Sequence, residues 1–183
     1  MRWICILLSI GLRAAYAHDA GDLEVSTSSS GWSSVSLEGF DLRWTIEGDT
    51  IRFDMTAPTT GWLAVGFGGG PAMAQADMVI GYVGEQGEPR IQDGWGTGPV
   101  SHAGDTELGG SGDLEILRAS EEEGITSMSF SRLLDTEDEY DFPLRPGTTL
   151  RLSVAWGADE ADDFDSMHQS AHSATIEVEN VAR

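Results

Sequence analysis

The sequence predicts an all-β fold, an antiparallel β-sandwich of about nine to eleven short strands. Three observations carry that prediction. Apolar residues recur with a period of two or in short unbroken runs. Turn signals rich in Gly, Asp and Pro fall between them, and no stretch shows the apolar period of an amphipathic helix. At 183 residues the chain has the size of one ordinary domain, with no visible repeat.

The N-terminus reads as a secretory signal peptide, residues 1–17. Met1-Arg2 gives a positive start, Trp3–Leu12 an apolar run, and Ala15-Tyr16-Ala17 a small-residue cleavage site. That run is too short to span a bilayer. The expectation is cleavage near Ala17, a secreted or periplasmic location, and no membrane span. His18–Ser30 reads as a polar lead-in and residues 31–183 as the folded domain.

Within that domain a first strand ends at Leu37-Glu38. Leu42–Glu47 and Thr50–Met55 form a hairpin around Gly48-Asp49, a two-residue turn signal. Arg52, Asp54 and Thr56 alternate there with Ile51, Phe53 and Met55, which predicts one wet face. Trp62–Phe67 differs: it is apolar throughout, as a strand covered on both faces would be. Gly68-Gly69-Gly70-Pro71-Ala72 follows with little side-chain bulk, so its backbone can approach a large flat ligand. Met73 sits in this loop, and the chain returns through Ala76–Val83.

Gly94–Asp113, with seven glycines, predicts a long surface loop. Leu114–Leu117 and Ile125–Phe130 pair about the turn Glu121–Gly124. Leu133–Pro146 is an acidic connection, and Leu150–Trp156 and Thr175–Val181 close the fold.

Charge narrows the function. Ten arginines and no lysine stand against 31 Asp and Glu, a net charge of −21. Such a surface repels nucleic acid and anionic lipid and favours basic partners. It is also a plain solubility trait. The absence of lysine excludes Schiff-base chemistry. The single cysteine, Cys5, lies in the expected signal, so the exported chain has no disulfide.

The candidate site residues begin with Met73, whose thioether is a soft metal ligand or else a cover for a core edge. His168 and His172, four residues apart, fall on one side of their segment and with Asp165 could hold a transition metal. Solvated histidines are the simpler reading of that pair. Asp159, Glu160, Asp162, Asp163 and Asp165 form an acidic run that is a solvated rim or a hard-cation site, without EF-hand spacing.

Gly61-Trp62, Ala64, Gly66-Phe67, Met73 and Asp77–Tyr82 together resemble the signature of the DOMON family. The likeness continues in order through Gln92–Trp95, Thr126–Leu134 ending near Arg132, Leu150–Ala158, and Met167-His168 before a final strand. The resemblance implies an immunoglobulin-like β-sandwich. Several members, among them the cytochrome domain of cellobiose dehydrogenase, bind haem b through a Met on the early loop and a His before the last strand. Others, such as the DOMON domain of dopamine β-monooxygenase, are regarded as ligand-binding or regulatory modules.

Carried onto this chain, the resemblance implies an exported b-type cytochrome without a catalytic site of its own. Met73 and His168 would be the axial ligands, with His172 the alternative histidine, and Trp62, Phe67, Pro71 and Tyr82 the pocket walls. Met/His ligation suits single-electron transfer to a redox partner, here one with a basic contact surface. The chain has no C-x-x-C-H, so the haem would be held non-covalently. Gln169 stands where many members have a glycine after the histidine. The alternative function is a haem-free module for a sugar or aromatic amine, with Trp62 and Trp95 stacking on the ligand.

Overall fold

The computed structural model describes residues 25–28 and 31–178, and within them it is almost entirely β. The expected signal peptide and the end of the last predicted strand lie outside the described residues. Twelve strands run in order: β1 (Ser26–Thr27), β2 (Ser33–Leu37), β3 (Phe40–Glu47), β4 (Thr50–Ala57), β5 (Leu63–Gly68), β6 (Ala76–Val83), β7 (Pro89–Gly98) and β8 (Ser101–Gly104). A single helical turn, α1 (Asp105–Leu108), precedes β9 (Glu115–Glu122), β10 (Ile125–Leu133), β11 (Thr149–Trp156) and β12 (Ser170–Glu177).

These strands form two antiparallel sheets, β1-β2-β3-β4-β10-β9 and β12-β11-β5-β6-β7-β8. The expected sandwich is therefore the fold. The β3–β4 hairpin turns at Gly48-Asp49, with Gly48 at φ 67°. The β9–β10 turn is tighter than the sequence suggests. Only Glu123 and Gly124 take positive φ, 54° and 80°, the twist that suits a two-residue hairpin.

Alternation fixes the inner faces. Leu42, Trp44, Ile51, Phe53, Met128 and Phe130 of the first sheet meet Leu63, Val65, Phe67, Val79, Leu152 and Val154 of the second. At the centre the Phe53 ring lies 5.2 Å from Phe67 and 5.1 Å from Phe130. The sheets approach so closely at Gly81 that an added Cβ would fall 2.3 Å from the Met128 sulfur.

Two expectations change. Ser26–Thr27, inside the polar lead-in, pairs with Ser33 and Ser34 as a short strand. Gly94–Asp113 is no long loop: it holds the end of β7, all of β8 and α1. Glycine-rich strands carry no apolar side chains by which to be recognised. Here neighbouring backbone occupies the space a side chain would fill. A Cβ on Gly96 would lie 1.7 Å from the Met73 carbonyl oxygen.

Candidate functional site

The two faces of the second sheet differ in kind. Phe67, Val79, Leu152 and Val154 face the core, so the register puts Ala64, Gly66, Met78, Ile80, Ser153, Ala155, Ala171 and Ser173 on the outer face. Small residues occupy its middle. Met78 and Ile80 are 8% and 6% exposed although they point away from the core between the sheets. An outer face of this character is covered ground, not a wet surface.

Two connections fold over it from opposite ends. Leu63 pairs with Trp156 and Phe67 with Leu152, so the β5–β6 loop leaves at one end and the β11–β12 loop at the other. The first loop carries Met73, half-buried, with Pro71 exposed beside it. Arg151 holds this loop from the outer face: its guanidinium donates to the Gly70 carbonyl at 2.6 Å and the Ala72 carbonyl at 2.9 Å. The Gln75 N–H donates to the Gly96 carbonyl at 2.7 Å. Ala72 and Gln75 sit at positive φ, 54° and 58°, which makes the loop a defined shape rather than a slack one.

The second loop carries His168, also half-buried. Its Phe164 ring lies 5.0 Å from Tyr82, an outer-face residue of β6. The Trp62 indole N–H donates to Ser166 Oγ at 2.9 Å. Part of the acidic run shapes this loop. Asp163 Oδ1 accepts the Ser166 and Asp165 N–H groups at 2.6 and 2.8 Å, bonds that hold its carboxyl below the usual carboxylate range. Asp159 Oδ1 accepts the Thr60 N–H at 3.0 Å.

Met73, His168, Trp62 and Tyr82 thus belong to one face and its two covering loops. Phe67 does not. It is 2% exposed in the inner core, so it is a packing residue and not a wall of the outer face. His172 also points the other way. It pairs directly with Val154 on the inner face, stacks 5.9 Å from Trp156, and its Nε2 is 2.9 Å from Ser170 Oγ. The sheet lies between it and the Met73 loop. Trp95, the register partner of Asp77, is on the inner side and contacts Tyr140 at 6.0 Å, so Trp62 and Trp95 cannot stack on one ligand. Met78 shares the outer face as a second thioether, whereas Met167 is 76% exposed.

Beneath the Met73 loop, on the inner face, lies a charged group that the strand pattern did not disclose. Arg132 of β10 crosses to the second sheet, where its Nη2 donates to Asp77 Oδ2 at 2.6 Å and to the Phe142 carbonyl at 2.9 Å. Its Nη1 pairs with Asp141. The Phe142 N–H donates to Asp77 Oδ2 at 2.8 Å. Burial pushes the Asp77 carboxyl up to about 6 in spite of Arg132. Burial raises Asp93 and Asp105 to about 7, with neighbouring carboxylates adding to the shift. The signal available in the sequence was Asp77 itself, a lone acid at the head of an apolar strand.

The profile of the DOMON domain matches residues 37–157. The chain belongs to the DOMON family. Curated relatives of this DOMON chain include DBH-like monooxygenase protein 2 of Mus musculus, 31% identical over 132 residues. MOXD1 homolog 1 of Drosophila melanogaster is 29% identical over 130 residues. Each match covers 69% of this chain but only 20% and 18% of the relative, so the chain spans about a fifth of their length. Among solved structures, the cytochrome domain of Myriococcum thermophilum cellobiose dehydrogenase superposes with a TM-score of 0.56. That likeness covers 87% of this chain and 90% of that one at 13% identity, and is one of fold.

Proposed function

We propose that this DOMON domain is an exported b-type cytochrome. It binds haem non-covalently over the outer face of the second sheet, through Met73 and His168, and passes single electrons. The observation that carries the reading is that one loop bearing a thioether and another bearing an imidazole fold over the same apolar face. The donor set suits the group, since thioether and imidazole together favour low-spin haem iron and an elevated potential. The bound group would supply a reversible one-electron couple.

The chain's own residues do the rest. Ala64, Gly66 and Ala155 form a floor without bulk on which a flat macrocycle can lie. Met78, Ile80, Trp62 and the Tyr82–Phe164 pair exclude water around it. Arg151 fixes the Met73 loop so that the sulfur is presented without further ordering. The acidic run beside His168 faces a basic redox partner.

The test is an absorption spectrum after expression with haem supply, oxidised and then dithionite-reduced. A low-spin protein with sharp α and β bands is expected. Met73→Ala and His168→Ala should each lose the low-spin bands, while His172→Ala and Met78→Leu keep them. A colourless protein that takes up no added haemin overturns the proposal.

A further inference from the structure

Three buried aspartates, Asp77, Asp93 and Asp141, converge beside Arg132 between the sheets, and their hydrogen bonds are unevenly shared. Asp77 and Asp93 project inward from adjacent strands, and Asp141 reaches them from the β10–β11 connection. One carboxyl oxygen from each of these three lies within 4.8 Å of the others. Several of the oxygens are occupied: Asp77 Oδ2 by Arg132 and Phe142, Asp93 Oδ2 by the Asp113 N–H at 2.9 Å, and both oxygens of Asp141, one by Arg132 and one by Thr136.

The remaining oxygens have no donor. Asp77 Oδ1, Asp93 Oδ1 and both oxygens of Asp105 are buried without a hydrogen-bond partner among the described residues. Asp105 is a separate observation from the trio. It opens α1, is 1% exposed, and follows Gly104, whose register partner Gly94 adjoins Asp93. Asp77 and Asp141 share a single guanidinium, that of Arg132, and no other cation of the described residues is paired with the cluster. Buried carboxylates in this number need protons or a metal ion.

We propose that this cluster is a divalent-cation site, calcium by chemistry, formed by Asp77, Asp93 and Asp141, with Asp105 the next buried carboxyl beside Asp93. Every available donor is oxygen, which selects a hard cation over zinc or copper. An irregular set of carboxylates on two strands and a loop suits the flexible coordination of calcium better than the strict octahedron of magnesium. The site is on the inner side of the sheet, so it stands whether or not haem binds outside. A cation there would tie β6, β7 and the β10–β11 connection together below the Met73 loop.

The experiment uses the full chain, stripped with a chelator, titrated with calcium chloride alone by calorimetry and thermal melting. One calcium per chain and a rise in melting temperature are expected, with a smaller rise for magnesium at equal concentration. Asp93→Asn/Asp141→Asn should weaken calcium binding at least tenfold, and Asp93→Asn alone should weaken it too if the double variant folds poorly. Glu122→Gln/Glu123→Gln, which alters exposed acids only, should not. No saturable calcium binding at millimolar concentration overturns the proposal and leaves the carboxyls holding protons. Binding unchanged in the aspartate variants overturns it equally.

Discussion

Replacing Arg132 by methionine tests the account of the interior most severely. The side chain is 1% exposed, and its partner Asp77 is fully buried, so neither charge can turn to water. Methionine fills similar space but donates nothing, leaving Asp77, Asp141 and the Phe142 carbonyl without their cation. Removing one member of a buried ion pair costs about 3–5 kcal/mol. That is a large share of the roughly 5–15 kcal/mol by which a domain is stable. The cost must depend on pH. Because the folded-state pKa of Asp77 is raised above 3.8, to about 6, its proton stabilises the native state below 3.8. That contribution is lost as pH rises through 6. Without Arg132 the carboxyl is raised further, so at pH 5 it is neutral and needs no cation. The deficit should therefore be full at pH 8 and clearly smaller at pH 5. Urea unfolding followed by tryptophan fluorescence, in chelator, measures it. A loss under about 1 kcal/mol at pH 8, the range of an exposed ion pair, or an equal loss at both pH values, would refute the reasoning.

Three further outcomes follow from named contacts. Gly96→Ala places a Cβ 1.7 Å from the Met73 carbonyl, so the loop must shift at an overpacking cost of about 1–3 kcal/mol, read in thermal denaturation. Phe67→Ala should cost about 3–5 kcal/mol of stability, as for an aromatic lost from a core. In a haem-loaded protein it should leave the low-spin bands in place, which a pocket-wall role would not allow. Electron transfer to a basic acceptor should slow steeply as salt rises from about 0.01 M to 0.15 M, over which the Debye length falls from roughly 30 Å to about 8 Å. A flat dependence in stopped-flow would leave the net charge of −21 as a solubility trait.

The strands legible in the sequence were those with side chains to read. β3 and β4 alternate, β6 is bounded by Ala76 and Val83 as its apolar run suggests, and β11 stands within a residue of its expected span. β8 and the end of β7 were hidden because their glycines carry no periodicity, Gly96 giving way to the backbone of the Met73 loop and Gly94 to that of Ala103. Phe67 was misjudged for a related reason. In a strand apolar on both sides, composition cannot say which side a residue faces, and only the register with Leu152 and Asp77 settles it. The charged interior was invisible because Asp93, Asp105 and Asp141 come from separate segments. Nothing local predicts that they meet.

Apart from Asp77, β5 and β6 are apolar on both faces, and that supports the proposed function. An antiparallel sandwich ordinarily leaves each sheet one wet face, and the first sheet follows that rule. Arg43, Asp54 and Arg52 form ion pairs on its outside at 2.6 and 3.1 Å. The second sheet breaks it, with Met78 and Ile80 buried on the side away from the core. A chain with 31 acidic residues places none of them in the middle of that face, where Ala64, Gly66, Met78, Ile80, Ser153 and Ala155 stand. What covers the face is two loops, shaped by Arg151 and Gly96 at one end and by Trp62, Phe164 and Asp163 at the other. These loops carry Met73 at one end of the sheet and His168 at the other, beside the small-residue face on which the proposed haem would lie. Neither the loops' geometry nor the small residues beneath them would be needed merely to close a sandwich.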